Sequence, residues 1–516
     1  MDQRSENTRR IAKNTLMLYI RMLFNMLVAL YTSRVVLNTL GVEDYGIYNV
    51  VGGLVSMFSL ISGSLSAAVS RFLTFELGRR DAERLKQVFS TSLFIHVVLA
   101  AVIVVLVETV GVWFLNTHMT IPTERLHAAR WVLHTSLAGF ALSLVSVPYN
   151  ASIVSHEHMS VYAYLGILNT LLWLAVVIFL KYSSGPFDKL IVYAFLLFGV
   201  AVLMQSLYMA YCRKYFEECR FRISFDRKFL KEIGSFAGWN FIGTAAWLFK
   251  DQGVNILLNI FIGPVVNAAK GIAGSVSTAV TSFTNNFMTA LNPQITKSYA
   301  SGDNEYMISL IERGTRFSFY VLFLLSLPIL FETDFILKIW LGQSPEYAAN
   351  FIRLILLLSL TDILSNTLIT LLLATGKIRN YQITVGGVMM LNFPISYICL
   401  KIGMPPEVTF VIAILISLIC FVLRLLFLRK LIRFPIRSYC RRVIMNILIV
   451  SIATIILPMT IYLILPNDNL LKFIIVALSC LFSGGVAIYY IGCTKSEKIF
   501  MRSKAVSLSY RLFRQA

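Results

Sequence analysis

The chain has 516 residues, 57% hydrophobic and only 14% charged, at a mean hydropathy of +0.74. That mixture excludes a soluble globular protein and points to a polytopic membrane protein. The formal charge of +20, from 46 Lys and Arg against 26 Asp and Glu, is better explained by basic cytoplasmic loops than by nucleic acid as a partner.

The start, Met1 to Lys13, is polar and basic. The apolar stretch after it runs longer than a signal-peptide core and lacks a small-residue cleavage site, so it is expected to remain as the first span. A window of about 19 residues places spans at 14–37, 46–72, 88–115, 128–152, 160–180, 190–211, 234–260, 264–295, 314–331, 348–374, 382–400, 407–428, 443–465 and 469–492, which is fourteen. If the N-terminus is inside, 32 of the basic residues fall in cytoplasmic segments and seven on the opposite side, with seven in the spans. That bias sets both termini in the cytoplasm, for a multi-pass membrane protein. No connection exceeds roughly 25 residues and there is no GxxxxGK[ST] loop, which leaves no room for a catalytic or nucleotide-binding domain. The tail from Lys498 to Arg514 alternates basic and apolar residues, as a segment lying on anionic lipid or a solvated tail would. The seven cysteines, at 212, 219, 399, 420, 440, 480 and 493, form neither a disulfide framework nor a zinc site by spacing.

Two stretches read alike. Glu108-Thr109, Trp113, Pro122, Glu124 and Ala128-Ala129 correspond to Glu332-Thr333, Trp340, Pro345, Glu346 and Ala348-Ala349. Leu40-Gly41 with Ile262-Gly263, Gly166 with Gly387 and Asn169 with Asn392 keep the same step of about 221 to 227 residues. The step spans six helices, an even number, so both halves enter the membrane in the same direction and their pseudo-twofold axis lies along its normal. The expected fold is all-α, with fourteen transmembrane helices. They form an N-terminal lobe at 1–213, a C-terminal lobe at 214–430, and two further helices with a tail at 431–516. The substrate site of such a protein lies between the lobes near the midplane.

Charged side chains at the bilayer centre cost about 2.5 to 3.5 kcal/mol on insertion scales, so each needs a reason. On helix 1, Arg21 lies within about 40° of Asn14, Asn25 and Thr32, a polar stripe facing something wet. On helix 7, Asn240, Thr244, Asp251, Asn255 and Asn259 share an arc of about 100° with Lys250 to one side. On helix 8, Asn267, Lys270, Thr278, Thr281, Asn285 and Asn292 do the same. A single Asn or Thr is accounted for by interhelical hydrogen bonding. Arg21 and Lys270 point instead to a cavity, because an unpaired cation survives at depth beside water, a carboxylate or an anionic ligand. Asp251 and Asp362 are the deep acidic residues, each read either as an ion-pair partner or as an ion-coupling group. Arg34, Arg71, Arg353 and Arg424 are expected to snorkel. His156-Glu157-His158 lacks metalloprotease spacing and reads as a solvated loop.

The 6+6+2 arrangement, the Leu40-Gly41-Val42-Glu43-Asp44-Tyr45-Gly46 turn, the Ile339-Trp340-Leu341-Gly342 segment and the short loops together resemble the polysaccharide flippases of the multidrug/oligosaccharidyl-lipid/polysaccharide (MOP) superfamily, whose fold is MATE-like, and within it the O-antigen (Wzx-type) transporters. The resemblance implies a transporter, not an enzyme. It would move undecaprenyl-diphosphate-linked oligosaccharide from the inner to the outer leaflet, in contact with membrane lipids and other polysaccharide-assembly proteins, with no cofactor. Substrate contacts are then expected from Arg21, Asn25, Asn255, Lys270 and Asn285, and ion pairing or coupling from Lys250, Asp251 and Asp362. The drive would be the membrane potential or counter-transport of H⁺ or Na⁺. The alternatives are a lipid II flippase, a multidrug exporter of the same superfamily, and a membrane glycosyltransferase or polymerase. Short outer loops argue against the last, and Arg21 argues against the exporter, because a cationic substrate favours carboxylates.

Overall fold

The computed structural model describes residues 14–499, apart from 29–30, 33–34, 37–38, 41–43, 45–46, 49–50, 52–54, 56–57, 118–121, 184–187, 221–226, 263, 342–345, 466–468 and 496. The basic residues before Asn14, Arg34, most of the 40–46 turn, Gly342, Pro345, the tail from 500 onward, and the side chains of Asn259 and Asn267 lie outside the described residues.

The described chain is 92% helical, with no strand. Its long helices are α1 Asn14–Val28, α2 Ser59–Arg79, α3 Ala82–Leu106, α4 Leu126–Ser155, α5 Met159–Tyr182, α6 Lys189–Tyr215, α7 Arg227–Phe261 and α8 Pro264–Ala300. There follow α9 Asn304–Phe331, α10 Ala348–Thr375, α11 in two pieces (Arg379–Met390 and Asn392–Lys401), α12 Val408–Ile432, α13 Met445–Ile464 and α14 Leu470–Ala487. Ten of them, α3 to α6 and α9 to α14, are long and apolar enough to cross a membrane. The helices α7 and α8 fall short because of the polar stripes that their sequences carry.

Helix starts are set by side-chain caps. Asp81 accepts from the Arg84 amide (3.0 Å), Asp188 from those of Leu190 (2.9 Å) and Ile191, and Asn469 from that of Lys472 (2.8 Å). Asp188 has a second role. Arg125, just before α4, donates to Asp44 (2.8 Å from Nε) and to Asp188 (2.6 Å), holding the chain after α1 and the start of α6 together. Burial pushes the Asp188 carboxyl up, but the Arg125 bonds and the two amides outweigh it and hold it below the usual carboxylate range. A depressed folded-state value means that this clamp contributes at neutral pH and weakens only as pH falls through that lowered value.

The helices divide into two compact units, Met1–Ala245 with Thr289–Met307 and Leu373–Ile383, and Ala246–Met288 with Ile308–Leu372 and Thr384–Ala516. In the first, α4 packs along α6 and against α2 and α3. Leu115, Ala129, Val132, Leu133 and Leu144 form one fully buried core, and Val177, Leu180 and Tyr193 another between α5 and α6. In the second, α13 packs along α14. A Cβ on Gly484 would come within 2.1 Å of Leu324, so α9 and α14 touch closely there. Arg316 of α9 donates to the Gly492 carbonyl (2.7 Å) and pairs with Glu497 (2.8 Å). The two helices beyond the sequence repeat are thus bolted to α9. Ile452, Ile456, Leu463, Leu478 and Phe482 stay largely exposed, the pattern of a surface solvated by lipid.

Two sequence expectations need correction here. Arg71 and Arg424 do not snorkel. Arg71 lies over Phe72 (4.5 Å), Phe75 (4.9 Å) and Phe236 (5.4 Å) and donates to the Ala374 carbonyl (3.1 Å). Arg424 is 6% exposed and donates to Ser365 (3.0 Å). In both cases a local acceptor replaces water, so the side chain need not reach the interface. The 156–158 turn is not simply solvated either. The Glu157 carboxylate is 1% exposed and 2.7 Å from Lys297, and His156 stacks on Phe216 (4.2 Å) and meets Glu218 (2.6 Å). Arg353, in contrast, is partly exposed and pairs with Asp334 (2.6 Å).

The alternation of helices makes the topology testable. In a variant lacking native cysteines, single cysteines at 302 and 377 are expected to react with a membrane-impermeant maleimide only from the cytoplasm, and those at 117 and 404 only from outside. Labelling of 302 and 404 from the same side would overturn the helix count between them.

Candidate substrate cavity

Within the first unit, α1, α4, α5 and α6 enclose two adjoining cavities. One, of about 470 Å³, is lined by Tyr48, Ser143, Asn150, Asn169, Trp173, Gln205 and Tyr208 among others. The second, of about 270 Å³, is lined by Asn25, Val28, Thr32, Asn169, Thr170 and Trp173. Asn169 and Trp173 form a wall of both. They sit one turn apart in the middle of α5, the depth at which the bilayer centre would lie. Among the described residues neither lining contains a charged side chain.

The α1–α5 contact explains how polar groups reach this depth. Thr170 donates to Asn25 (2.8 Å) and also back-bonds to the Gly166 carbonyl (3.1 Å). One turn earlier on both helices, Arg21 lies against Gly166, where an added Cβ would come within 2.6 Å of the Arg21 Cδ. Glycine at 166 therefore makes room for the arginine. The guanidinium stacks over Tyr162 at 4.5 Å, and its Nε is buried without a hydrogen-bond partner. Among the described residues no carboxylate pairs with it. A half-buried cation lying against an aromatic face, with no counter-ion among the described residues, is suited to an anionic ligand. Within the cavities the Ser146 hydroxyl donates to Gln205, while Asn150 Oδ1 is buried with no partner.

This arrangement offers amide and hydroxyl groups of both polarities beside flat aromatic faces, the combination that fits hydroxyl-rich, uncharged rings, with the Arg21 cation one turn from Asn25. Of the residues expected from the sequence, Asn25 lines the smaller cavity, and Arg21 lies one helical turn from it, in neither lining. Asn169 stood out only as a landmark of the repeat, and Asn150, Trp173, Gln205 and Tyr208 were not singled out at all. Asn169 and Trp173 at a four-residue spacing in a strongly apolar helix were the signal available.

The other expected residues lie in the second unit. Lys270 Nζ is 3.3 Å from the Asp251 carboxylate and 2.8 Å from the Asp251 carbonyl, so α7 and α8 are joined by this pair. The lysine is largely covered (11% exposed) and the aspartate half-exposed (48%). Asn255, one turn on, is half-buried and Asn285 exposed. Lys250 is buried (7% exposed). Asp362 accepts from Ser417, and one turn along Ser365 accepts from Arg424 (3.0 Å), so the same two helices, α10 and α12, are joined twice. Lys250, Asp362 and Arg424 all lie within electrostatic reach of the Cys420 thiol. Among the described residues no cluster of His, Cys, Asp and Glu could hold a metal ion.

The Asp251–Lys270 pair invites a double-mutant test. If it is purely structural, Asp251→Asn or Lys270→Met alone should lower the amount of folded protein and the two together restore it. Lys270→Met at normal abundance with transport lost would show that the lysine serves the substrate instead.

Residues 11–299 match the model of a family described as polysaccharide biosynthesis protein. A membrane protein of Bacillus subtilis (strain 168), EpsK, itself uncharacterized, is 22% identical over 326 residues, which is 62% of this chain and 63% of that relative. Among solved structures, an outward-facing multidrug resistance MATE family transporter of the MOP superfamily superposes with a TM-score of 0.70 at 13% identity, covering 82% of this chain and 95% of the other. A MOP superfamily transporter from Pyrococcus furiosus gives 0.69 at 13% identity, over 82% and 95%. At such identities the structural likeness concerns the fold. With the family match extending over more than half its length, the chain belongs to the polysaccharide biosynthesis protein family, and it is a multi-pass membrane protein with the fold of MOP-superfamily transporters.

Proposed function

We propose that the protein carries undecaprenyl-diphosphate-linked oligosaccharide from the inner to the outer leaflet of the bacterial cytoplasmic membrane, by alternating access between lobes 1–213 and 214–430, for O-antigen or another surface polysaccharide. The observation that carries this reading is the pairing, at mid-membrane depth, of a cavity and an adjacent arginine for which the described residues provide neither a charged lining nor a counter-ion. Sugar hydroxyls and a diphosphate each cost several kcal/mol when stripped of hydrogen bonds in hydrocarbon. The amides and hydroxyls replace those bonds without demanding one glycan, the aromatic faces pack on sugar rings, and Arg21 supplies a planar fork for phosphate oxygens. A cationic substrate would find no carboxylate in the cavity walls.

The proposed drive is the membrane potential. A charge near −2 leaving an inside-negative cell gains roughly 4.6 kcal/mol across 100 mV, at about 2.3 kcal/mol per charge. Asp251 or Asp362 would carry H⁺ or Na⁺ if a counter-ion is moved as well. Other polysaccharide-assembly proteins would supply and receive the carrier on either face.

Reconstitution in vesicles tests this reading. With a polyprenyl-diphosphate disaccharide in the inner leaflet, the protein is expected to raise the rate at which the sugar becomes accessible to an external glycosidase by tenfold or more over protein-free vesicles. Equal rates would refute the activity, and acceleration confined to a peptidoglycan precursor would assign the lipid II reading instead.

A further inference from the structure

A third cavity of the first unit, about 1020 Å³, lies where the C-terminal part of α2, the first turns of α7 and the 376–380 turn meet. It is lined by Arg71, Lys231, Lys377 and Arg379 with Phe236 and Trp239 among others. Among the described residues its one carboxylate, Glu232, lies 3.7 Å from Arg84. The charge distribution of the sequence puts all three segments at the cytoplasmic face.

Two features distinguish this cavity from a set of solvated loop cations. Both arginines are held against rings, Arg71 among three phenylalanines and Arg379 over Trp239 at 5.2 Å, so their planes are fixed before any ligand arrives. Arg71 spends one Nη on the Ala374 carbonyl, and its Nε is buried with no partner. The turn is also shaped around the arginine. Gly376 has φ +73°, and a Cβ there would stand 2.5 Å from an Arg71 Nη. A side chain at 376 would therefore be strained and would push the guanidinium away. Lys231, Lys377 and Arg379 are exposed at the mouth.

Four cations, two of them rigid forks, in a volume that accommodates a ligand well beyond a single phosphate, favour an extended polyanion with a ring attached. We propose that this cavity docks the diphosphate group of a saccharide carrier at the cytoplasmic face, before the carrier enters the α1–α4–α5–α6 cavity. This inference rests on the transport reading above.

The test uses the full chain in detergent, with radiolabelled pyrophosphate and farnesyl diphosphate as probes in equilibrium dialysis. Lys377→Gln/Arg379→Gln removes two exposed side chains, so its thermal unfolding midpoint is expected to match wild type, while binding of both probes weakens about tenfold or more. Tighter binding of farnesyl diphosphate than of pyrophosphate assigns a lipid-anchored ligand, and equal binding a soluble diphosphate; both support the site. Unchanged binding in the double variant, no binding of either probe to wild type, or equal competition by phosphatidylglycerol vesicles would overturn it. Flipping rates from the same preparations separate the two ideas. A wild type that binds but does not flip refutes transport and leaves the site standing. A double variant with wild-type binding that also flips normally refutes the site and leaves transport standing.

Discussion

Arg21→Ala is expected to abolish surface-glycan export and to slow flipping in vesicles by about 10- to 100-fold, with the protein at normal abundance. The magnitude follows from losing one charge-assisted hydrogen bond to phosphate, at about 1.5 to 3 kcal/mol. Normal abundance follows because among the described residues Arg21 has no carboxylate partner to be left behind. Arg21→Lys should recover only part of the rate, since a point charge does not reproduce the planar fork. Gly166→Ala offers an independent check that leaves the charge in place. Its Cβ would come within 2.6 Å of the Arg21 Cδ, in the middle of the side chain, so the guanidinium must leave the Tyr162 ring. That variant should also flip slowly while its folded amount stays close to wild type. Full activity in Arg21→Ala would remove this residue from the transport path.

The helices were legible in the sequence, and the cavity was legible only in part, for one physical reason. A span announces itself through about twenty apolar residues, a signal summed over the whole segment, and the expected bounds of α3 to α14 lie close to those observed. A site depends on which side chain meets which, and hydropathy carries no information about neighbours. Arg21 was found because an unpaired charge is costly wherever it points. Trp173 and Gln205 were missed because each is unremarkable until α5 and α6 are set beside α4. Arg71 shows the opposite failure. Its position near a span end made snorkelling the economical explanation, and only the approach of Ala374 and Phe236, remote in sequence, provides it with an acceptor and walls. The ten helices that are apolar enough to cross a membrane also show why fourteen is harder to count. The polar stripes of α7 and α8, which mark them as functional in sequence, are what lower their apolarity.

Lys297→Ala is expected to lower the amount of folded protein more than any other single change considered. Glu157 has φ +62°, a left-handed conformation that a glutamate adopts only when its surroundings hold it there. Its carboxylate is 1% exposed and accepts from Lys297 (2.7 Å) and Gln294, and its carbonyl accepts from Asn14 (3.3 Å). The turn between α4 and α5 is thereby tied to the last turns of α8 and to the start of α1. Nearby, α8 rests on Gly78 so closely that a Cβ there would meet Ala300 at 2.7 Å. Removing the lysine takes the cation at 2.7 Å away from a buried carboxylate, a loss of the kind that costs about 3 to 5 kcal/mol, a large share of a typical stability. Removing both charges is a different matter, because an uncharged pair of similar volume avoids the desolvation that the ions incur. Glu157→Gln/Lys297→Met should therefore return close to wild-type abundance, measured by fluorescence-detected size exclusion after heating. Glu157→Gly, which relieves the backbone but discards the carboxylate, should fall between the two. If Lys297→Ala were as stable as wild type, the carboxylate must have found another cation or taken up a proton. A crystal structure of that variant with Glu157 turned out into water would show that the buried pair contributes nothing to holding these helix ends together.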